Sequence, residues 1–205
     1  NQLDYKYTFK EKHNINLGVI TEFTKFKDFY LSASGTGFIK PFLQNISNAP
    51  LTPTAFSSFS DRASVRYVGL FNYNFNKKYL LDASFAHQGD SRFTEELRYG
   101  NFYSVGAAWN IHQESFMESV KFVNELRLKG SYGTTGNAGI GRNLFQSTLG
   151  SGGYNGTGVA LLGSFGQNTT WETGTRQEVS LNYGLFNNRI TGSVTRYHNT
   201  TENGL

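Results

Sequence analysis

The stretch of sequence that decides the fold is residues 63–85, which read ASVRYVGLFNYNFNKKYLLDASF. Up to Phe75 the odd-numbered positions are mostly aromatic or apolar, and the polar residues fall only at even-numbered positions. A polar turn at residues 76–78 follows, and the alternation resumes with Tyr79, Leu81 and Phe85 on one face. Because successive side chains of a strand point to opposite faces, this stretch predicts a hairpin with one aromatic face.

The same alternation recurs on both sides of this hairpin, in segments that start near Leu3, Ile15, Tyr103, Leu126 and Val179. We therefore expect about eight strands, each near the ~10 residues of a membrane-spanning strand. Composition agrees, because aromatic residues make up 16% of the chain although hydrophobic residues total only 38%. No apolar run approaches the ~20 residues that a membrane-spanning helix needs, so the predicted class is all-β.

The connections between these strands alternate between short and long. The short ones are expected at residues 11–13, 76–78 and 185–188, with a helix-like link at about 112–123. The long ones are expected at about 28–61, 89–98 and 135–170. Outer-membrane barrels have short periplasmic turns and longer outer loops. We therefore interpret residues 1–205 as part of a membrane-spanning antiparallel β-barrel without a plug domain, with the long loops outside the cell and the link in the periplasm.

Aromatic residues near the strand ends are candidates for the two interfacial girdles of such a barrel. They are Tyr73, Phe75, Tyr79, Trp109, Trp171 and Tyr197. A soluble β-sandwich also alternates, but it favours aliphatic inner faces and does not predict this asymmetry of loops.

No constellation of residues suggests catalysis, and we expect no enzyme activity, cofactor or metal site. The four histidines are isolated in sequence, and none has a partner at metal-ligand spacing. The nearest approach to a hydrolase pair is His87 with Ser84, which falls short of a Ser/His/acid set. The chain has no cysteine for a thiolate site. Its net charge of +4 is spread out, so nucleic acid is not an expected partner.

Several strings resemble the barrel of the SusC/RagA family of TonB-linked outer-membrane transporters, in the family's order. They are FNYNFNKKYLLDASF (71–85), GDSRF (89–93), RYGNFYSVGAAWNI (98–111), ESFM (114–117), NELRLKGSYGTTGN (124–137), WETGT (171–175) and GLFNNRI (184–190). The turn at 88–93 departs slightly from the family's Asp-Gly-Ser-Ser-Arg-Phe pattern. Members of the family have about 22 strands and a plug domain in the lumen, so the chain corresponds to roughly a third of that wall.

The resemblance suggests roles for two groups of residues. Five polar residues are expected to face the lumen, where they either bond to the plug and neighbouring strands, the interpretation we favour, or line the passage: Arg66, Asp82, Glu125, Arg127 and Lys129. Three aromatic residues of the outer loops are candidates for stacking on a sugar or a peptide, or for loop packing and contact with a lid protein: Tyr154, Phe165 and Trp171.

The function that the resemblance implies is import of a bulky nutrient, an oligosaccharide or oligopeptide, through a plugged barrel in the bacterial outer membrane. Its implied partners are outer-membrane lipid, a SusD-like lipoprotein at the outer face, and the TonB complex through an N-terminal region absent from this chain. The alternatives are a passive porin, another outer-membrane barrel such as one for protein translocation, and a soluble glycan-binding β-sandwich.

Overall fold

The structure is a computed structural model that describes residues 1–38, 45–49, 53–139 and 170–204, and the backbone of 148–154 and 157–164. Ten β-strands are found in this part of the chain. They are β1 (Gln2–Phe9), β2 (His13–Ser34), β3 (Thr54–Phe75), β4 (Tyr79–Asp90), β5 (Tyr99–Asn110), β6 (Val123–Asn137), β7 (Thr148–Tyr154), β8 (Thr157–Ser164), β9 (Glu172–Leu185) and β10 (Ile190–Glu202). The helical elements among these residues are single 3₁₀ turns at Ile46–Asn48, Ile111–Gln113 and Ser115–Met117.

Eight of the strands form one sheet in the order β1-β2-β3-β4-β5-β6-β9-β10, and β7 and β8 form a separate hairpin. The pairings given by register are all antiparallel. The prediction of an all-β chain with about eight antiparallel strands is therefore confirmed. The β7–β8 hairpin lies within the predicted loop 135–170. Its glycine-rich sequence lacks the aromatic alternation that marks the other strands.

The short connections use left-handed backbone conformations. Asn76 and Lys77 have φ values of 49° and 57°, and Asn187 and Asn188 have values of 56° and 59°. Such turns match the twist of the flanking strands, and asparagine tolerates this conformation better than most residues. The side chain of Asn74 also accepts a hydrogen bond from the Lys77 N–H at 2.8 Å.

The register gives the sheet two chemically different faces. On what we call the aromatic face, Leu81 lies opposite both Tyr73 and Ala107, and Tyr79 lies opposite Trp109. The other face, which we call the polar face, carries the side chains one residue out of step with these. Rows such as Asn72, Asp82 and Gly106, and Lys129 with Ser180, belong to the polar face.

Several element boundaries differ from those expected. Strands β2 and β3 extend to Ser34 and from Thr54, well into the predicted loop 28–61. The charged residues near Asp28 obscured the alternation, whereas Tyr30 and Phe56 pair across this part, 6.3 Å between ring centroids. The link at 112–123 contains two 3₁₀ turns and no longer helix.

The chain divides into two compact units, Thr24–Ala63 and the remainder. Within Thr24–Ala63, Arg62 lies over the ring of Phe26 at 4.5 Å. Within the remainder, the buried hydrophobic core consists of Phe93, Phe102 and Trp171. Most large apolar side chains of the sheet are instead exposed on the aromatic face, as in Tyr103 (48%) and Val179 (57%).

Candidate functional site

The polar face brings three of the five predicted lumen residues together. Asp82, Arg127 and Lys129 line one cavity of about 220 Å³, together with Glu178 and Ser131 from the same face. The Asp82 carboxylate accepts a hydrogen bond from the Asn72 side chain at 2.7 Å. The buried Nε of Arg127 has no hydrogen-bond partner among the described residues. This cavity therefore combines both signs of charge with unused donor capacity.

Arg66 and Glu125 lie outside that cavity. Arg66 forms an ion pair with Glu22 at 2.6 Å, in which both side chains are half exposed, 51% and 52%. A pair this exposed contributes little to stability. The two residues line a second cavity of about 280 Å³, which also contacts Gln88 and Trp171. Glu125 lies opposite Gly184, near the start of β6, and lines neither cavity among the described residues.

An aromatic cluster borders the second cavity. Phe93 is fully buried, Phe102 is 7% exposed and Trp171 is 8% exposed. The ring of Trp171 lies 4.8 Å from that of Phe93 and 5.6 Å from that of Phe102, and the Phe102 pair is edge-on. Trp171 is thus part of a small core beside the polar face. The expectation that it belongs to an interfacial girdle is wrong, because its neighbours Phe93 and Phe102 cover it.

Two glycines, Gly100 and Gly136, leave the space that the Phe102 ring of this cluster occupies. A Cβ atom on Gly100 would stand 2.7 Å from the Phe102 ring, and one on Gly136 would overlap that ring more severely. Ring atoms of Phe102 cannot yield by rotating away as the end of a lysine would. Both positions therefore require glycine for close packing rather than for an unusual backbone angle.

Substitution of Gly136 by alanine is expected to lower the free energy of unfolding by about 1–3 kcal/mol through overpacking. Gly130→Ala in the same strand is the matched control, because no atom lies within 4 Å of the position its Cβ would take. Urea unfolding of the full-length protein in lipid vesicles measures both. Equal midpoints for the two variants would contradict the packing described for Phe102.

The loop between β4 and β5 is tied to this cluster by a buried ion pair. Asp90, 5% exposed, accepts two hydrogen bonds from the Arg92 guanidinium, both 2.8 Å, and one from the Arg92 N–H at 3.0 Å. Bidentate pairing of this kind fixes orientation as well as charge. The GDSRF string at 89–93 therefore has a structural role, because its ion pair positions Phe93 against Trp171. Sequence reasoning recognised the string but not its role.

A separate group of hydrogen-bonded side chains, which we call the Glu114 hub, lies where the link between β5 and β6 meets the start of β4. The Glu114 carboxylate accepts hydrogen bonds from the Tyr79 hydroxyl at 2.6 Å, Lys78 Nζ at 3.0 Å and Trp109 Nε1 at 3.0 Å. These bonds, above all those from Tyr79 and Lys78, hold the pKa of Glu114 at about 2, well below its usual range. The hub joins the ESFM string of the link to the turn at residues 76–78, between β3 and β4. Sequence reasoning missed it because its partners lie about 35 residues apart.

The Glu114 hub predicts a particular dependence of stability on pH. Because the folded pKa is depressed, the contribution of Glu114 is complete above about pH 4.5 and is lost as the pH falls towards about 2. Glu114→Gln is expected to lower the urea midpoint at neutral pH and to flatten its fall in acid. Glu118→Gln, an exposed glutamate in the same link, is the control. If the difference in urea midpoint between wild type and Glu114→Gln stayed constant down to acid pH, the proposed role of the Glu114 charge would be wrong.

Other aromatic side chains form a row on the aromatic face at the short-turn end of the strands. Ring centroids of neighbouring pairs lie 4.7 Å apart for His13 and Phe75, 6.2 Å for Phe75 and Tyr79, and 6.4 Å for Tyr79 and Trp109. Such a row is typical of an interfacial girdle. Tyr197 does not belong to it, since Tyr197 lies opposite Glu178 on the polar face.

The remaining candidates are placed as follows. Phe165 lies outside the described residues, and only the backbone of Tyr154 is described, in β7. His87 bonds to Asn101 at 2.7 Å and stacks on Tyr99, whereas Ser84 bonds to Ser104 at 2.7 Å. His87 and Ser84 point to opposite faces of β4, so they form no catalytic pair.

The described part of the chain contains no group of three or more His, Cys, Asp or Glu residues positioned to hold a metal ion. It also contains no helix long and apolar enough to cross a membrane.

No family model matches the chain. Two TonB-dependent receptors of Formosa agariphila are each 30% identical over the whole chain, which spans 20% and 22% of their lengths. The TonB-dependent receptor SusC of Bacteroides thetaiotaomicron is 29% identical over 69% of the chain, and 15% of its own length is matched. The chain thus spans about a fifth of the curated relatives that it matches along its whole length.

Solved structures of the RagAB peptide transporter, including its "closed-closed" and "open-open" states, superpose on 98% of the chain. The TM-scores are 0.88 to 0.90, the identity is 29%, and 22–23% of each RagAB chain is covered.

A sheet with one aromatic face and one charged face, matched over its full length by these barrels, is the wall of an outer-membrane β-barrel. Within that class, the chain is a barrel segment of the SusC/RagA family of TonB-dependent receptors, as its sequence strings predicted. Its relatives are named as receptors and transporters rather than as enzymes, in agreement with the expectation of no catalysis.

Proposed function

We propose that this chain is part of a TonB-dependent transporter that imports a bulky nutrient, an oligopeptide or an oligosaccharide, across the outer membrane. The observation that carries the proposal is the match of the whole chain to TonB-dependent receptors and to RagAB, whose name is that of a peptide transporter. The test therefore includes both substrate classes, oligopeptides and oligosaccharides.

The two faces of the sheet support this proposal. The aromatic face is the lipid-facing side, and the polar face is the side towards the lumen. Strands β1 and β10 are the edges of the sheet within the described residues. Because a bilayer does not tolerate unpaired strand edges, further barrel strands complete the wall beside them in the membrane.

On this proposal, the long loops predicted at about 28–61, 89–98 and 135–170 lie at the outer side. The Glu114 hub and the short turns lie in the periplasm. A SusD-like lipoprotein covers the outer mouth, and the TonB complex supplies the energy.

We further propose that the predicted lumen residues contact the plug domain or stabilise the barrel wall and do not bind the substrate. Asp82, Arg127 and Lys129 offer charges of both signs to a plug domain. Arg66, already paired with Glu22, serves cross-strand structure. Glu125, opposite Gly184 of β9, is assigned the same role. Trp171 packs in its core and is not open to a sugar ring.

The test is uptake by cells that carry the full-length gene, compared with a deletion strain. Dye-labelled oligopeptide and oligosaccharide mixtures serve as separate probes. We expect uptake of one mixture to depend on the gene and to stop when the proton gradient of the inner membrane is collapsed. Gene-dependent uptake that survives collapse would identify a passive porin. No gene-dependent uptake of either mixture would contradict a nutrient transporter.

A further inference from the structure

The β4–β5 loop, residues 91–98, lies against the polar side of the sheet. Phe102 and Ala86 face each other across β4 and β5, on the same face as Ser84 and Ser104. Trp171 contacts Phe102 and Phe93, and Ala86 and Leu97 pack against the same cluster. A loop whose Phe93 and Leu97 reach side chains of the polar face is folded towards that face and does not project away from the end of the strands.

This loop is also held firmly. The Asp90–Arg92 ion pair is largely buried, with side chains 6% and 15% exposed. Backbone hydrogen bonds close the loop at its base, from Asp90 N–H to the Arg98 carbonyl at 3.2 Å, and near its tip, from Leu97 N–H to the Thr94 carbonyl at 3.2 Å. Phe93, with no exposed surface, anchors the middle. A loop with these three attachments keeps one conformation instead of sampling many.

The exposed part of the loop is small. Glu95 and Glu96 are exposed, whereas Thr94 and Leu97 on either side of them are partly buried. The two glutamates therefore form the exposed tip of the loop, beside the polar face. At the same level along the strands, the aromatic face carries His87 and Tyr99, whose stacked rings have centroids 5.1 Å apart.

We propose that residues 91–98 are a fixed, inward-folded loop that narrows the outer part of the passage and so limits the size of solute that reaches the cavity at Arg66 and Trp171. This inference rests on the proposed function, because it takes the polar face to line a transport passage. Phe93 and the Asp90–Arg92 pair are positioning residues in this device, and Glu95 and Glu96 border the passage.

The test uses single cysteines in the full-length protein in intact cells, with any other cysteine replaced. Glu96→Cys reports on the loop, and Thr36→Cys, an exposed residue of the β2–β3 connection, is the reference. Each is treated with a small membrane-impermeant maleimide and with a maleimide carrying a long polyethylene glycol chain. We expect Thr36→Cys to react with both reagents and Glu96→Cys to react with the small one only.

Release of the anchor provides the second arm. Phe93→Ala combined with Glu96→Cys is expected to gain reaction with the large reagent. Phe85→Ala, which removes a phenylalanine exposed on the aromatic face, is expected to leave the labelling unchanged. Equal reaction of Glu96→Cys with both reagents would overturn the inference while leaving the transporter intact. So would failure of Glu96→Cys to react with either reagent while Thr36→Cys labels. If both positions react only after cell lysis, the proposed orientation fails and this inference with it, whereas the uptake assay decides the proposed function separately.

Discussion

Replacement of Trp171 by alanine is expected to lower the free energy of unfolding by about 3–5 kcal/mol, the usual loss for a buried tryptophan. Trp171 is 8% exposed and touches both other members of the core. Its removal leaves a cavity between the β4–β5 loop and the polar face, so the loop loses its support. The measurement is the urea midpoint of the full-length protein in lipid vesicles.

Two comparisons separate this structural role from direct contact with a ligand. Trp171→Phe keeps an aromatic ring in the core and is expected to retain most of the stability and the uptake. Tyr197→Ala removes a ring that is 63% exposed and is expected to change the midpoint little. If Trp171→Ala keeps the wild-type midpoint but abolishes uptake, Trp171 acts on the substrate and the packing described for it is wrong.

The faces of the sheet were predictable from sequence because strand geometry is strictly periodic. Parity alone placed Asp82, Arg127 and Lys129 on one face, and the register then brought them to one cavity. The same parity shows Tyr197 on the polar face. Its proximity to a strand end had suggested a girdle, and that criterion ignored which side the residue faces.

The inward loop and the Glu114 hub were beyond sequence reasoning for a different reason. Both depend on contacts that close over irregular backbone, where no period relates one residue to the next. Phe93 meets Trp171, and Glu114 meets Tyr79, only after the strands between them have paired. The strings GDSRF and ESFM signalled that these positions matter, but not whether they bind a ligand or hold the fold.

Placing an arginine on each face of β5 tests the assignment of lipid and lumen sides most directly. Val105 lies on the aromatic face, between Ala83 and Tyr132, near the middle of the apolar run from Tyr103 to Trp109. Val105→Arg is expected to cost about 2–4 kcal/mol, the cost of a cation at the bilayer midplane.

The neighbouring residue supplies the control, since consecutive residues of a strand point to opposite sides. Ser104 faces Ser84 and Gly133 on the polar side, where glycine leaves room for a longer side chain and water solvates a guanidinium. Ser104→Arg loses one hydroxyl hydrogen bond and is expected to cost about 1 kcal/mol. Unfolding in lipid vesicles measures both variants. Equal losses would mean that neither side faces lipid, and a larger loss for Ser104→Arg would reverse the assignment and place Asp82, Arg127 and Lys129 against the membrane. A clearly larger loss for Val105→Arg supports the charged face as the lumen side, because burial of a cation in hydrocarbon costs more than the loss of a single hydroxyl hydrogen bond.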